Sequence, residues 1–144
     1  MLPPYQEDIT MRDDLEAFAR ANAFAQLCGI EVVEARPGHA VTRMTLEDRH
    51  RNPFGTASAG AVFMLAETAF GMAINAELAP GGQGVAVNLA ISYLRPGVEG
   101  VLTATARRSA SGGPLASYEV EVRNEEGEVI AHAQAMGFCK RPKS

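Results

Sequence analysis

Between Ala61 and Leu78 the chain runs eighteen residues without a proline, and only Glu67, Thr68, Asn75 and Glu77 among them are polar. The spacing predicts a helix over about residues 59–79, closed by Pro80-Gly81-Gly82. Its apolar side chains cover nearly every face, so it has no side to offer to water and must be buried all round. A chain of this length therefore has to build a wrapper around one long helix.

The remaining sequence supplies strands for that purpose. Ile30 to Ala35 and Ala40 to Leu46 read as two strands joined by the turn Arg36-Pro37-Gly38-His39. Val85 to Leu94, Val101 to Arg108 and Val129 to Phe138 read likewise. Residues 116–123 alternate, with Ala116, Tyr118, Val120 and Val122 on one face and Ser117, Glu119, Glu121 and Arg123 on the other, the pattern of a half-exposed antiparallel strand. Short turns between strands predict sequential neighbours and a mostly antiparallel sheet. Before the first strand, Leu15, Phe18, Ala19 and Leu27 recur at helical spacing, which predicts one helix over about residues 11–27, stopped at Gly29. Residues 47–58 read as a loop and residues 1–10 as a loose arm. The expectation is one α+β domain over residues 11–140, a curved sheet around a central helix.

At 144 residues, with 47% apolar and 21% charged, the chain can bury a core without metal or disulfide. A net charge of −4 and the lack of a basic stripe argue against a nucleic-acid partner. The basic ending Lys140, Arg141, Lys143 reads as a solvated tail. Cys28 and Cys139 are far apart in sequence and read as reduced thiols. The polar, acidic start is unlike a signal peptide, and no apolar run is expected to span a bilayer, so the expected location is the cytoplasm.

Glu67 does not fit its helix. A carboxylate there costs several kcal/mol unless it is paired, hydrogen-bonded or facing a wet site, and no Lys or Arg lies within a helical turn. Two readings stand: an ion pair with Arg95 or another distant arginine, or a catalytic carboxylate acting as base or nucleophile. The helix start adds to the second. Ser58 is a good N-cap, and the small residues Ala59 and Gly60 leave the free N–H groups of the first turn open to a ligand oxygen, at the positive end of the helix dipole. That is the chemistry of an oxyanion hole. Gly60 and Glu67 share a face but lie about 10 Å apart along the axis, whereas attack on a polarised carbonyl needs about 3.5 Å. Two such helices packed antiparallel about a two-fold axis solve the problem, so the site is expected between subunits.

These residues carry a resemblance. Asn52-Pro-Phe-Gly55-Thr-Ala-Ser58-Ala59-Gly60, then Leu65-Ala66-Glu67-Thr-Ala69, then Leu94-Arg95-Pro96-Gly97 resemble the pattern of the PaaI-like branch of the hotdog thioesterases, over about Leu27 to Phe138. The family pattern has Asn-x-x-Gly-x-x-His-Gly-Gly, a helix with Leu-Ala-Asp/Glu-x-Ala, and an Arg-Pro pair after a strand. The resemblance implies a hotdog fold and an acyl-CoA thioesterase, with Glu67 as the catalytic acid and the N–H of Ala59 or Gly60 polarising the thioester. Asn52 falls on the residue that orients the attacking water or the thioester. A homodimer with paired central helices, often doubled to a tetramer, is implied, with coenzyme A as part of the substrate and no metal or redox cofactor. Ser58 replaces the motif histidine and Ala59 the first glycine. Loss of that histidine favours the alternative of a non-catalytic acyl-CoA binding or sensing protein, whereas retention of Glu67 counts against it. A hydratase is a weaker third option, since no paired Asp and His stands near the helix start.

Among the other candidates, Arg95, Arg107 and Arg108 suit the phosphates of coenzyme A or are solvated strand ends. Ser58 is read as a cap or substrate contact; no serine triad is apparent. His50, flanked by two arginines, reads as exposed, and His39 and His132 as surface or structural. Met64 and Met72 read as core filling, with the lining of an acyl pocket as the alternative for one of them, and Asn88 and Ser92 share one strand face that either reaches the site or faces water.

Overall fold

The computed structural model describes residues 11–142; the expected N-terminal arm and Lys143 lie outside them. Two short helices come first, α1 (Asp13–Ala21) and α2 (Ala23–Leu27), then β1 (Ile30–Arg36), β2 (His39–Thr45), a single 3-10 turn (Asp48–His50), the long α3 (Ala59–Ala76), and β3 (Gln83–Tyr93), β4 (Val101–Gly112), β5 (Leu115–Arg123) and β6 (Val129–Lys140). The six strands form one antiparallel sheet in the order β1-β2-β4-β5-β6-β3. α3 packs against all six. This is the hotdog architecture, a sheet rolled around one helix.

The sheet's inner face is built for close approach. Ala40, Ala104, Ala106 and Ala131 are fully buried opposite Leu65, Ala66, Ala69 and Ala73 of the helix, and larger Tyr118, Met44 and Leu102 fill the gaps between them. Tyr118 meets Phe70 edge to face, ring centroids 5.3 Å apart, a geometry worth about 1 kcal/mol beyond area burial. Buried Thr42 of β2 donates its hydroxyl to the Leu65 carbonyl at 2.9 Å. At the other edge the Asn75 amide donates to the Gly84 carbonyl (3.0 Å) and accepts the Gly84 N–H (2.9 Å). Gly84 and Gly137 both face Ile74. A Cβ at Gly84 would stand 2.8 Å from Ile74 Cγ1, and one at Gly137 would overlap Ile74 and come 3.0 Å from Phe70 Cζ.

Several expectations change. The N-terminal helix breaks at Asn22, whose side chain accepts the Ala25 N–H at 3.0 Å and starts a second helix. α3 ends at Ala76 rather than Ala79: the last turn tightens, the Glu77 and Leu78 N–H groups donating to the carbonyls of Ile74 and Asn75, and the Glu77 carboxylate pairs with Arg108 at 2.7 Å and accepts the Tyr118 hydroxyl. β3 and β4 follow one another in sequence but are not neighbours. A long connection carries the chain across, so β2 pairs with β4 and β3 with β6 at the far edge. The 116–123 alternation holds, with Ala116, Tyr118, Val120 and Val122 all buried. Contrary to the expectation that no stretch suits a bilayer, α3 has 18 residues and a mean hydropathy of 1.3, enough to cross one by composition. Most of it is instead buried against its own sheet.

Candidate active site on the open face of α3

The sheet leaves one stripe of α3 uncovered. Of its eighteen residues only Ala59, Gly60, Phe63, Met64, Glu67 and Gly71 escape full burial. Gly60, Met64, Glu67 and Gly71 follow one another at helical spacing along this face. Glu67 sits in the middle of it, half-buried, and forms no hydrogen bond or ion pair with any described residue. Burial raises its carboxyl above the ordinary glutamate value. The ion pair with Arg95 does not exist: that guanidinium reaches Glu128 at 3.3 Å. A buried carboxylate without a partner is unfavourable in isolation.

Ser58 caps the helix, its hydroxyl accepting the Ala61 N–H at 3.1 Å. The Ser58 carbonyl accepts Ala61 and Val62, which leaves the N–H groups of Ala59 and Gly60 without a hydrogen-bond partner among the described residues. Both residues are exposed, and a side chain at Gly60 would meet nothing within 4 Å. The first turn thus presents two free donors at the positive helix end.

The preceding loop holds that end in place. Asn52 donates to Thr56 Oγ1 at 2.9 Å and accepts the N–H groups of Phe54 and Thr56 at 3.0 and 3.1 Å. In this structure its amide shapes the loop that presents Ser58. His50 corrects the expectation of an exposed ring: it is 3% exposed. Its Nδ1 accepts the Glu47 N–H at 2.9 Å and its Nε2 lies 2.6 Å from the Cys28 carbonyl, which puts the proton of the neutral ring on Nε2. Its own carbonyl accepts the Ser58 N–H at 2.7 Å. Both ring nitrogens are occupied, so His50 braces the helix start. Tyr93, which sequence reasoning passed over, donates its hydroxyl to the Ala59 carbonyl at 2.8 Å. Its place just before Leu94-Arg95-Pro96 was the available signal.

The expected site residues other than Arg107 fall into three cavities. Glu67 lines one of about 630 Å³ beneath α1 and α2. Ser58 and Gly60 line a second of about 660 Å³ with His50, Phe63 and Met64. Asn52, Ala59 and Arg95 line a third of about 400 Å³ with Tyr93. Met64 is therefore a wall of a cavity, and Met72, though part of the core, also lines the cavity that holds Glu67. Arg107 lines none of the three. It follows buried Leu102, Ala104 and Ala106 at the opposite parity and points from the sheet's outer face, beside His39 and Glu119. Asn88 and Ser92 share that outer face with Met136 and His132. One chain does not bring the helix start and Glu67 together. Among the described residues no three His, Cys, Asp or Glu side chains converge to hold a metal.

Comparison with known proteins agrees with this fold. A family model described as a domain of unknown function, DUF4442, matches residues 15–136. The acyl-coenzyme A thioesterase PaaI of Escherichia coli is 34% identical over 111 residues, 76% of this chain and 77% of that protein. Human acyl-coenzyme A thioesterase 13 is 30% identical over 128 residues, 87% and 91% of the two chains. The solved structure of E. coli PaaI superposes with a TM-score of 0.81 at 31% identity, over 87% of this chain and 89% of that one. Fold and relatives define the class as hotdog-fold thioesterases. Within that class the chain belongs to the PaaI-like family, and it is a thioester hydrolase.

Proposed function

We propose that the protein hydrolyses acyl-CoA thioesters to free acid and coenzyme A at a site shared by two copies of the chain. Glu67 of one copy activates water, or attacks the carbonyl itself, while the N–H groups of Ala59 and Gly60 of the other stabilise the oxyanion. The observation that carries this reading is the open stripe of α3. It holds one carboxylate without a partner and two backbone donors without acceptors among the described residues, on one face but about 10 Å apart. The separation is too long for one helix to serve a single carbonyl. Two helices running antiparallel bring each Glu67 beside the other's first turn.

The free edge of β3 supports the pairing. It is the last strand of the sheet, and Val85, Val87 and Tyr93 on it are 50%, 59% and 47% exposed. Such an edge is a template for another strand. Arg95, at the mouth of the cavity that holds Ala59, suits a phosphate of coenzyme A. Both relatives named above are acyl-coenzyme A thioesterases.

Thiol release from a panel of acyl-CoA thioesters, with wild type and Glu67→Gln compared, tests the reading. Turnover in wild type that Glu67→Gln loses, with the fold retained, supports it. If neither protein releases thiol yet acyl-CoA raises the melting temperature, the chain is an acyl-CoA binding protein, with Ser58 in place of the motif histidine as the difference to pursue.

A further inference from the structure

A thioester has two arms, and only one can enter the cavity that holds Glu67. Resting on the hydrolase reading, we infer that the acyl arm runs along α3 from Glu67 across Gly71 and beneath Phe18, and that Gly71 and Phe18 set its length. Charge decides which arm enters. The acidic side chains lining this cavity are Glu16, Glu31 and Glu67, against Arg20 alone. Arg20 lies 3.9 Å from Glu16, and Glu31 is paired with Arg43 outside the cavity at 3.0 Å. Among the described residues the lining thus carries three carboxylates against one cation, a balance that disfavours the phosphates of coenzyme A. The neutral acyl arm enters and the phosphate arm leaves the other way.

Shape decides which residues matter. Gly71 is one turn beyond Glu67 on the open stripe, and a Cβ there would meet nothing within 4 Å. The missing side chain is the space the chain occupies. The next polar residue along the helix, Asn75, has both amide hydrogens engaged, with Gly71 at 2.8 Å and Gly84 at 3.0 Å. It therefore has no donor to offer a polar tip. Glu67 to Asn75 spans about 12 Å of helix, room for a straight apolar chain of medium length. Phe18 of α1 lines the same cavity and is 45% exposed. Its helix is anchored by buried Leu15 and by Arg12, which donates to the carbonyls of Ala76 and Leu78 at 3.2 and 3.0 Å. The roof is therefore held against the end of α3 rather than hanging free.

The test measures kcat/KM for acetyl-, octanoyl- and benzoyl-CoA with wild type, Gly71→Leu and Phe18→Ala, checking oligomeric state and melting in each. Gly71→Leu should lose octanoyl-CoA turnover by about tenfold or more relative to acetyl-CoA. Phe18→Ala should shift preference toward bulkier groups. Equal losses on acetyl and octanoyl substrates in Gly71→Leu, or an unchanged preference in both variants, overturn the inference. If Gly71→Leu alters the oligomer, the preference of Phe18→Ala decides. If wild type hydrolyses none of the three, the hydrolase reading fails separately. Calorimetric binding of octanoyl-CoA then decides this inference: weaker binding by Gly71→Leu upholds it and equal binding overturns it.

Discussion

Tyr93, the last residue of β3, donates its hydroxyl to the carbonyl of Ala59, the first residue of α3, at 2.8 Å. An edge strand thereby holds the helix end whose N–H groups face outward. Tyr93→Phe keeps the ring and removes the bond. The expected result is a loss of about 1 kcal/mol in stability by denaturant titration and a lower kcat with little change in KM. A variant with wild-type kcat would show that the helix start needs no such brace.

Glu67 links pH to stability. Burial raises its carboxyl above the ordinary glutamate value, so between the two values the native chain keeps a proton that the unfolded chain has released. Stability therefore falls as pH rises through that window. Glu67→Gln removes the buried charge, and its melting temperature should exceed that of wild type at about pH 7, with the gap closing at about pH 4. The rising limb of wild-type kcat/KM should lie above the range of a free glutamate. A melting gap that does not change with pH would refute this account.

His50 is structural in this arrangement. Replacing it with Ala leaves the Glu47 N–H and the Cys28 carbonyl without partners, at an expected cost of about 2 kcal/mol. Thermal melts and hydrogen exchange at Ser58, whose N–H binds the His50 carbonyl, would reveal it. If catalysis falls while melting and exchange stay at wild-type values, the ring has a chemical role instead.

Ser58 caps α3 through the Ala61 N–H. Ser58→Ala should cost about 1 kcal/mol, and Ser58→Asn should recover most of it, since asparagine is an equally good cap. Chemical denaturation of the three proteins distinguishes a cap from a substrate contact, because only the cap predicts rescue of stability by Asn.

The helix and most strands were legible because their signals are local: predominantly apolar, proline-free sequence from Ala61 to Ala76, alternation from Ala116 to Val122, and glycine turns between strands. Glu67 stood out for the same reason, as a charge where the pattern allows none. What was hidden depends on residues distant in sequence. Glu77, just past the end of α3, finds its partners Arg108 and Tyr118 31 and 41 positions away. The flanking Arg49 and Arg51 suggested that His50 faces water, but the ring turns inward to the Cys28 carbonyl, 22 residues back. The Asn22 break was locally visible as a capping residue inside an apparently continuous helical pattern. The place of β3 at the edge follows from no local rule, because its partner is the last strand of the chain.

The two glycines facing Ile74 act as a keyway. With hydrogen atoms alone at Gly84 and Gly137, the Ile74 side chain drops into a slot that a Cβ at either position would fill, and this seating favours the observed angular setting of α3. A helix turned by one residue, about 100°, would swing Glu67 under the sheet and bring an apolar side chain outward. The aim of the carboxylate is thus fixed two turns away from it, by side chains that were never made.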